Sequence, residues 1–299
     1  MLGSIIGSGA FGKVYQSLND EKVVFKVVDI KYIEDEINIL EKIGHNKYFC
    51  NLLKYFEKEN NMYLKFNKYY CNLNEITIKL DQNKTLNISY QIVEALEYLE
   101  YIGVIHCDLK PENIMFETEK YEQIKIIDFG SSILKGFKKI YNNYVCTRWY
   151  CSPDIILGKP ITKDIDIWSL GCIIYELFTN IVLFPGGGSE NKYRRLQLYK
   201  IIEIIGFPNQ NYLKDCKYKD IYLNDKKCLI PNKNKYTLIK IFDHNNNEIK
   251  LKERKIEDEI SNINILKLLN LILRYENRLS IEDLKKEIID LFSKKKIKC

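Results

Sequence analysis

Four polar side chains in one short span constrain this chain more than any other feature. The run Ile105-His106-Cys107-Asp108-Leu109-Lys110-Pro111-Glu112-Asn113 is followed by Asp128-Phe129-Gly130. An acid, a lysine, an amide and a second acid stand in the order that phosphoryl transfer needs. Asp108 can accept a proton from an incoming hydroxyl, and Lys110 can neutralise the group in flight. Asn113 and Asp128 supply hard oxygen ligands of the kind Mg²⁺ takes. Alone, the H-x-D-x-x-x-x-N pattern is only moderately specific. Paired with D-F-G and a glycine loop upstream, it becomes much more so.

Composition bounds what can surround that span. A chain of 299 residues with 46% hydrophobic content can bury a sizeable core in one large domain or two lobes. No apolar run approaches the ~18 residues that a membrane span needs. The first residues, MLGSIIGSGAFGKV, lack the charged start and cleavage site of a signal peptide. The expectation is an intracellular protein, cytoplasmic or nuclear. Nine cysteines without C-x-x-C pairs or zinc spacing fit reduced thiols better than a disulfide framework. Cys146 and Cys151 flank Thr-Arg-Trp-Tyr and can be read as a redox pair, but two free thiols are the favoured reading. The net charge of +6 gathers visibly only in the basic tail, residues 293–299. That tail reads as a solvated end rather than a nucleic-acid or membrane contact, because no aromatics interleave its lysines.

The first seventy residues look β-rich with one helix. Gly3 to Tyr15 and Glu21 to Ile30 suit a hairpin around a glycine-rich turn. Ile33, Ile37, Leu40 and Ile43 form a helical stripe within Tyr32 to Ile43. Asn61 to Phe66 reads as a strand, and the polar stretch Asn67 to Glu75 as a connector. Helices are expected over Ile88 to Tyr101, Asp164 to Thr179, Ile260 to Leu273 and Ile281 to Phe292. Ile114 to Phe116 and Ile124 to Ile127 are short strands around a charged turn. The segment WSLGCIIYELF is apolar on nearly all sides, as a buried central helix would be. Asn209 to Arg254 reads as an irregular polar insert.

The loop Ile6-Gly7-Ser8-Gly9-Ala10-Phe11-Gly12-Lys13-Val14 has the form G-x-G-x-x-G-x-V. Glycines let several backbone amides approach one anion. A tight structural hairpin or a dinucleotide loop would look similar, although a dinucleotide fold would start a helix here and Val14-Tyr15 continues as strand. In the next strand, alternation puts Val24 and Lys26 on one face. If that face is a cleft, Lys26 meets phosphates, Val24 covers a base, and Glu36 on the following helix holds Lys26 extended. By itself, Lys26 would be a surface lysine.

Taken together, GSGAFGKV, VVFK, Glu36, HCDLKPEN, DFG, Ser152-Pro153-Asp154, DIWSLG and Arg278 resemble the eukaryotic protein kinases, in order and over nearly the whole chain. HCDLKPENI, IKIIDFGSS and YVCTRWYCSPDIILG resemble one branch of the CMGC group, the dual-specificity tyrosine-regulated (DYRK) kinases. The resemblance implies an α+β, bilobal kinase fold: a β-rich N-lobe with one helix over about 1–66, a hinge over about 67–71, and a mainly helical C-lobe over about 72–292. ATP would sit against Ile6 to Gly12, Val14, Val24, Lys26 and Glu36, with Phe66 as gatekeeper and Asn67 to Tyr69 as hinge. Asp108 would be the catalytic base, Lys110 would contact the γ-phosphate, and Asn113 and Asp128 would hold Mg²⁺. His106 and Phe129 would pack in the hydrophobic spine. Asp154 would pair with Arg278, and Asp166 would bond the catalytic-loop backbone. Read blandly, Asp154 and Arg278 are unrelated surface charges. Protein substrates are expected, with no nucleic-acid or membrane partner, and a monomer.

Several positions depart from the family pattern. Cys107 replaces the arginine that usually reads an activation-loop phosphate. The branch instead autophosphorylates a tyrosine, and Tyr144 matches that position, with Arg148 as one cationic partner. A second arginine is expected where Cys151 stands, which puts the usual preference for proline after the target residue in doubt. The amino-terminal box linked to maturation is absent. Lys26 and Glu36 are only ten residues apart, so a trimmed helix start is expected. Against an active serine/threonine kinase stand a pseudokinase scaffold, which would have to lose Lys26, Asp108, Asn113 or Asp128, and a small-molecule kinase, which should lack SPD and DIWSLG.

Overall fold

Valine-rich alternation builds the central strand of the first sheet in the computed structural model, which describes residues 2–9, 12–76, 80–135, 146–186, 190–225, 236–238, 248, 250 and 252–293. Ala10, Phe11, Tyr144 and the tail residues 294–299 lie outside the described residues. The chain forms two compact units, residues 1–77 with 87–145, and residues 78–86 with 146–299.

In the first unit, β1 (Leu2–Gly9), β2 (Gly12–Ser17), β3 (Val23–Asp29), β4 (Leu52–Lys58) and β5 (Asn61–Asn67) make an antiparallel sheet in the order β1-β2-β3-β5-β4. β3 is central, flanked by β2 and β5, and buries Val23, Val24 and Val28. β4 was not legible from the sequence, because nearly all its residues face solvent and no apolar alternation marks it.

Gly12 pairs with Gly9 at the mouth of the β1–β2 hairpin at φ 139°. A Cβ there would stand 2.3 Å from the Val27 carbonyl oxygen. Side chains rarely adopt that backbone, and no flexible neighbour can give way. Gly12→Ala should therefore cost about 1–3 kcal/mol, measurable as a lowered urea midpoint. An unchanged midpoint would mean that the hairpin tip relaxes freely.

α1 spans Glu34–Ile43, after a 3₁₀ turn at Ile30–Tyr32 that Asp29 caps by accepting from the Lys31 N–H. The α-helix therefore begins only two residues before Glu36. Its acidic first turn, Glu34, Asp35 and Glu36, suits the positive end of the helix dipole. Ile37, Ile39, Leu40 and Ile43 are buried, and Gly44 ends the helix with its N–H on the Leu40 carbonyl. After β6 (Cys71–Asn72), α2 runs Gln82–Tyr101 and buries Leu86, Ile92, Val93, Leu96 and Leu99. It begins earlier than the Ile88 stripe, because Asp81 accepts from the Lys84 N–H and extends the first turn. β7 (Val104–Ile105) pairs with β10 (Ile133–Leu134), while β8 (Ile114–Phe116) and β9 (Ile124–Ile126) form a hairpin beside β6.

The second unit is mainly helical: α3 (Pro153–Leu157), α4 (Asp164–Thr179), α5 (Glu190–Ile205), α6 (Gln210–Leu213), α7 (Lys219–Tyr222), α8 (Ile256–Glu259), α9 (Ile263–Ile272) and α10 (Ile281–Ser293). A short pair, β11 (Leu223–Asp225) and β12 (Tyr236–Leu238), lies in the polar insert. α4 is buried almost all round, as its composition predicts. A Cβ on Gly171 would meet Ile272 and Leu273 at 2.7 and 2.8 Å, so the missing side chain lets this helix approach α9.

One expectation is overturned here. Cys146 and Cys151 are joined by a disulfide rather than being two free thiols. The 3₁₀ turn Arg148–Tyr150 brings their Cα atoms to 5.7 Å, inside the range a disulfide bridges.

Asp154 and Arg278 are not scattered surface charges. They form an ion pair at 2.7 Å, with side chains 13% and 2% exposed. The guanidinium lies 5.2 Å from the Trp168 ring centre, and the Tyr212 hydroxyl donates to Asp154 Oδ1. Asp154→Asn keeps the shape but leaves the buried guanidinium with a neutral acceptor. It should lower stability by about 2 kcal/mol, read from denaturant unfolding. A change within ±0.5 kcal/mol would place the pair among ordinary surface contacts.

Candidate active site

The site lies wholly in the first unit, around a cavity of about 560 Å³, a size suited to a small-molecule ligand. The β1–β2 hairpin supplies Ile6, Gly7, Ser8, Gly9 and Gly12, and β2 adds Val14. Val24 and Lys26 come from the same face of β3, as alternation requires. Phe66, Asn67 and Tyr69 come from the end of β5 and the connector after it. That connector is fixed by its own backbone: the Lys68 N–H donates to the Lys22 carbonyl and the Tyr70 N–H to the Phe116 carbonyl.

Lys26 is the electrostatic centre. Its Nζ lies 2.6 Å from Glu36 Oε1 and 2.8 Å from Asp128 Oδ1, so one ammonium joins α1 to the D-F-G turn. The Lys26 and Glu36 side chains are 11% and 3% exposed. Burial works to lower the Lys26 pKa, but the two carboxylates outweigh it and hold the value above that of an ordinary lysine. Burial likewise works against the Asp128 charge, yet Lys26, with smaller help from His106 and the Gly130 N–H, keeps its carboxyl below the usual carboxylate range.

The D-x-x-x-x-N loop forms a second cluster. Lys110 Nζ lies 2.8 Å from Asp108 Oδ2. Asn113 Nδ2 donates to the Asp108 carbonyl at 2.8 Å and, more weakly, to its Oδ2 at 3.3 Å. Lys110 and Asn113 line the cavity beside Asp128, and Asp108 is held behind them through these contacts. The two clusters are registered by backbone: the Ile127 N–H donates to the Asn113 carbonyl, and His106 Nε2 donates to the Ile127 carbonyl at 3.1 Å. His106 Nδ1 accepts from the Asp108 N–H, which fixes this tautomer. The imidazole meets Phe129 edge-on at 5.1 Å, and Phe129 packs on Phe49.

Two residues here occupy left-handed backbone, Cys107 at φ 68° and Asp128 at φ 64°. Neither is a glycine, so each stores strain that the surrounding hydrogen bonds must hold. The strain falls on the residue before Asp108 and on Asp128 itself, which is where fixed geometry matters to chemistry.

Thus the described members of the expected nucleotide set, together with Lys110, Asn113 and Asp128, converge on one cavity. Ala10, Phe11 and Tyr144 fall outside the described residues. Arg148 is exposed, while Asp166 is buried in α4; both belong to the second unit. The cavity is also lined by residues outside that set, among them Cys50, Met115 and Ile127. Met115 was within reach of strand alternation, since it stands between the buried Ile114 and Phe116. Nothing in the sequence marked Cys50, whose thiol is pushed up to about 12 by burial and stays neutral.

The donor set suits Mg²⁺. Among the described residues no three His, Cys, Asp or Glu side chains gather as a metal cluster. Mg²⁺ keeps several waters and needs only one or two protein oxygens beside substrate phosphates, so the pair Asn113 and Asp128 fits it. No helix among the described residues is long and apolar enough to cross a membrane.

Comparison with known sequences agrees with this geometry. The protein kinase domain profile matches residues 1–288. The dual specificity protein kinase YAK1 of Saccharomyces cerevisiae is 37% identical over 226 residues, covering 68% of this chain and 27% of its own length. The dual specificity tyrosine-phosphorylation-regulated kinase 3 of Mus musculus is 34% identical over 243 residues, 74% of this chain and 40% of its own. Kinase 4 of that name in Homo sapiens is 34% identical over 239 residues, 74% and 45%. The chain spans less than half the length of these relatives.

Proposed function

Because the chain belongs to the protein kinase family, we propose that it transfers the γ-phosphoryl group of Mg-ATP to serine and threonine hydroxyls of protein substrates. The observation that carries this is the doubly paired Lys26, joined to Glu36 and Asp128 in the cavity that Lys110 and Asn113 also line. When bound, Mg-ATP brings the transferable group and an ion that neutralises its charge. Asn113 and Asp128 are the oxygen donors that would hold the ion. Lys26, kept extended by Glu36, would hold the α- and β-phosphates. Val24 and Met115 would enclose the base, with Phe66 behind it. Asp108 would take the proton of the incoming hydroxyl, and Lys110, already on its carboxylate, would offset the charge in transit.

We also propose that Tyr144 is autophosphorylated, as its match to the branch position and the dual specificity names of the relatives support. The lobe boundaries near 66 and 72 belong to the same proposal. The test is incorporation of labelled phosphate from ATP into a basic protein substrate, with the Asp108→Asn variant alongside and mass spectrometry of the chain expressed alone. Transfer lost in the variant supports the assignment, and phosphate on Tyr144 supports the branch. Equal silence of both proteins, with ATP bound, would leave a binding scaffold. Preference for choline or an aminoglycoside over any peptide would leave a small-molecule kinase.

A further inference from the structure

We propose that Cys146 and Cys151 form a reversible thiol–disulfide site, closed by exchange with a low-molecular-weight disulfide such as glutathione disulfide, and that closure fixes the turn between them. Its effect on peptide phosphorylation rests on the kinase reading above. The site itself does not.

The geometry favours a closed ring. Five positions separate the two cysteines, and their Cα atoms are 5.7 Å apart. The intervening turn is built by the Tyr150 N–H on the Thr147 carbonyl and the Cys151 N–H on the Arg148 carbonyl. So short a loop gives each sulfur a high effective concentration at the other. Cys146 is half-buried and Cys151 is 1% exposed, so an external disulfide meets Cys146 first.

The exchange balances in two steps. The Cys146 thiolate attacks one sulfur of glutathione disulfide, forming a mixed disulfide and releasing one glutathione thiolate. The Cys151 thiolate then attacks the Cys146 sulfur and releases the second. Two protein thiols are oxidised, one glutathione disulfide is reduced, and the two protons end on the two glutathiones. Excess glutathione runs the sequence backwards. Other cysteines are poorer candidates: burial holds the Cys50, Cys172 and Cys216 thiols well up, away from the reactive thiolate.

The turn is already fastened elsewhere. The Tyr150 hydroxyl donates to Glu176 at 2.6 Å, its carbonyl accepts from the Ser169 hydroxyl, and Trp149 Nε1 donates to the Gly186 carbonyl. Cys151 leads directly into Ser152, the cap of α3, and Asp154, the partner of Arg278. The bridge therefore adds a covalent tie to the segment that the kinase reading gives to peptide docking. Preorganising that segment lowers the ordering cost of a bound peptide.

The full chain should be equilibrated in glutathione redox buffers, alkylated in acid and mapped by mass spectrometry. The expected result is a bridged 146–151 peptide that opens to two alkylated cysteines with excess glutathione. The peptide KM should be about fivefold lower in the bridged form with the ATP KM unchanged, and Cys146→Ser should show no redox response. Separate glutathione adducts, unreacted thiols, an unchanged peptide KM, or an equal response in Cys146→Ser would overturn the proposal. If neither form transfers phosphate, the kinase reading fails. Hydrogen exchange at 147–150 then decides this site alone: slower exchange in the bridged form supports it, and equal exchange overturns it.

Discussion

Asp108→Asn should lower kcat for peptide phosphorylation by about 10³-fold, equivalent to about 4 kcal/mol of barrier, with ATP affinity and stability nearly unchanged. The asymmetry follows from how Asp108 is held. The stronger Asn113 contact, at 2.8 Å, goes to the Asp108 backbone carbonyl and survives any side-chain change. An amide also keeps the volume of a side chain that is only 8% exposed. What disappears is the negative charge that accepts the hydroxyl proton and holds Lys110 at 2.8 Å. Lys110 is 21% exposed, so water softens its loss of a partner. If Asp108 were only a loop anchor, the variant would unfold at lower urea while transferring phosphate at the wild-type rate per folded molecule. Measuring kcat, ATP KM and the unfolding midpoint on one preparation separates the two roles.

The site was more legible in the sequence than the scaffold was. Lys26, Asp108, Lys110, Asn113 and Asp128 could be read because their order and spacing encode chemistry, and the fold then brings them to one cavity and its edge. α4 was read to its ends at Asp164 and Thr179 because a helix apolar all round has only one place to go. α5 went unread because its buried face mixes Gln197 and Glu203 with Leu198, Ile201 and Ile202, which blurs the apolar stripe. β4 went unread for the opposite reason, being solvent-facing along most of its length. The Cys146–Cys151 bridge depends on a 3₁₀ turn that no local pattern announced, and cysteine spacing alone does not specify a pairing. Side chains that carry chemistry leave a record in sequence order, whereas contacts made by long-range packing do not.

Lys26→Met should lower stability by about 3–5 kcal/mol and abolish measurable transfer. Methionine fills the space of the lysine stem but leaves Glu36 and Asp128, which both lie against the same ammonium in the wild type, with no cation between them. At 3% exposure Glu36 cannot recover the loss from water. Its acid response gives the variant a signature that mere loss of packing lacks. In the wild type, the lowered Asp128 pKa contributes stability above pH 3.8, lost as pH falls through the native value. The raised Lys26 pKa contributes below pH 10.5, lost as pH rises through the native value. The wild-type advantage from the cluster is therefore flat between those limits. In the variant, desolvation and mutual repulsion raise the carboxylate pKa values instead, so the native state binds more protons than the unfolded one. Its stability should climb as pH falls from 7 to 5, against a flat contribution from this cluster in the wild type. Urea unfolding at several pH values checks both parts, with Lys26→Arg expected to restore much of the stability but little activity, because a guanidinium fork does not reproduce a point ammonium. Parallel pH profiles for wild type and Lys26→Met would show that the three charges are not coupled.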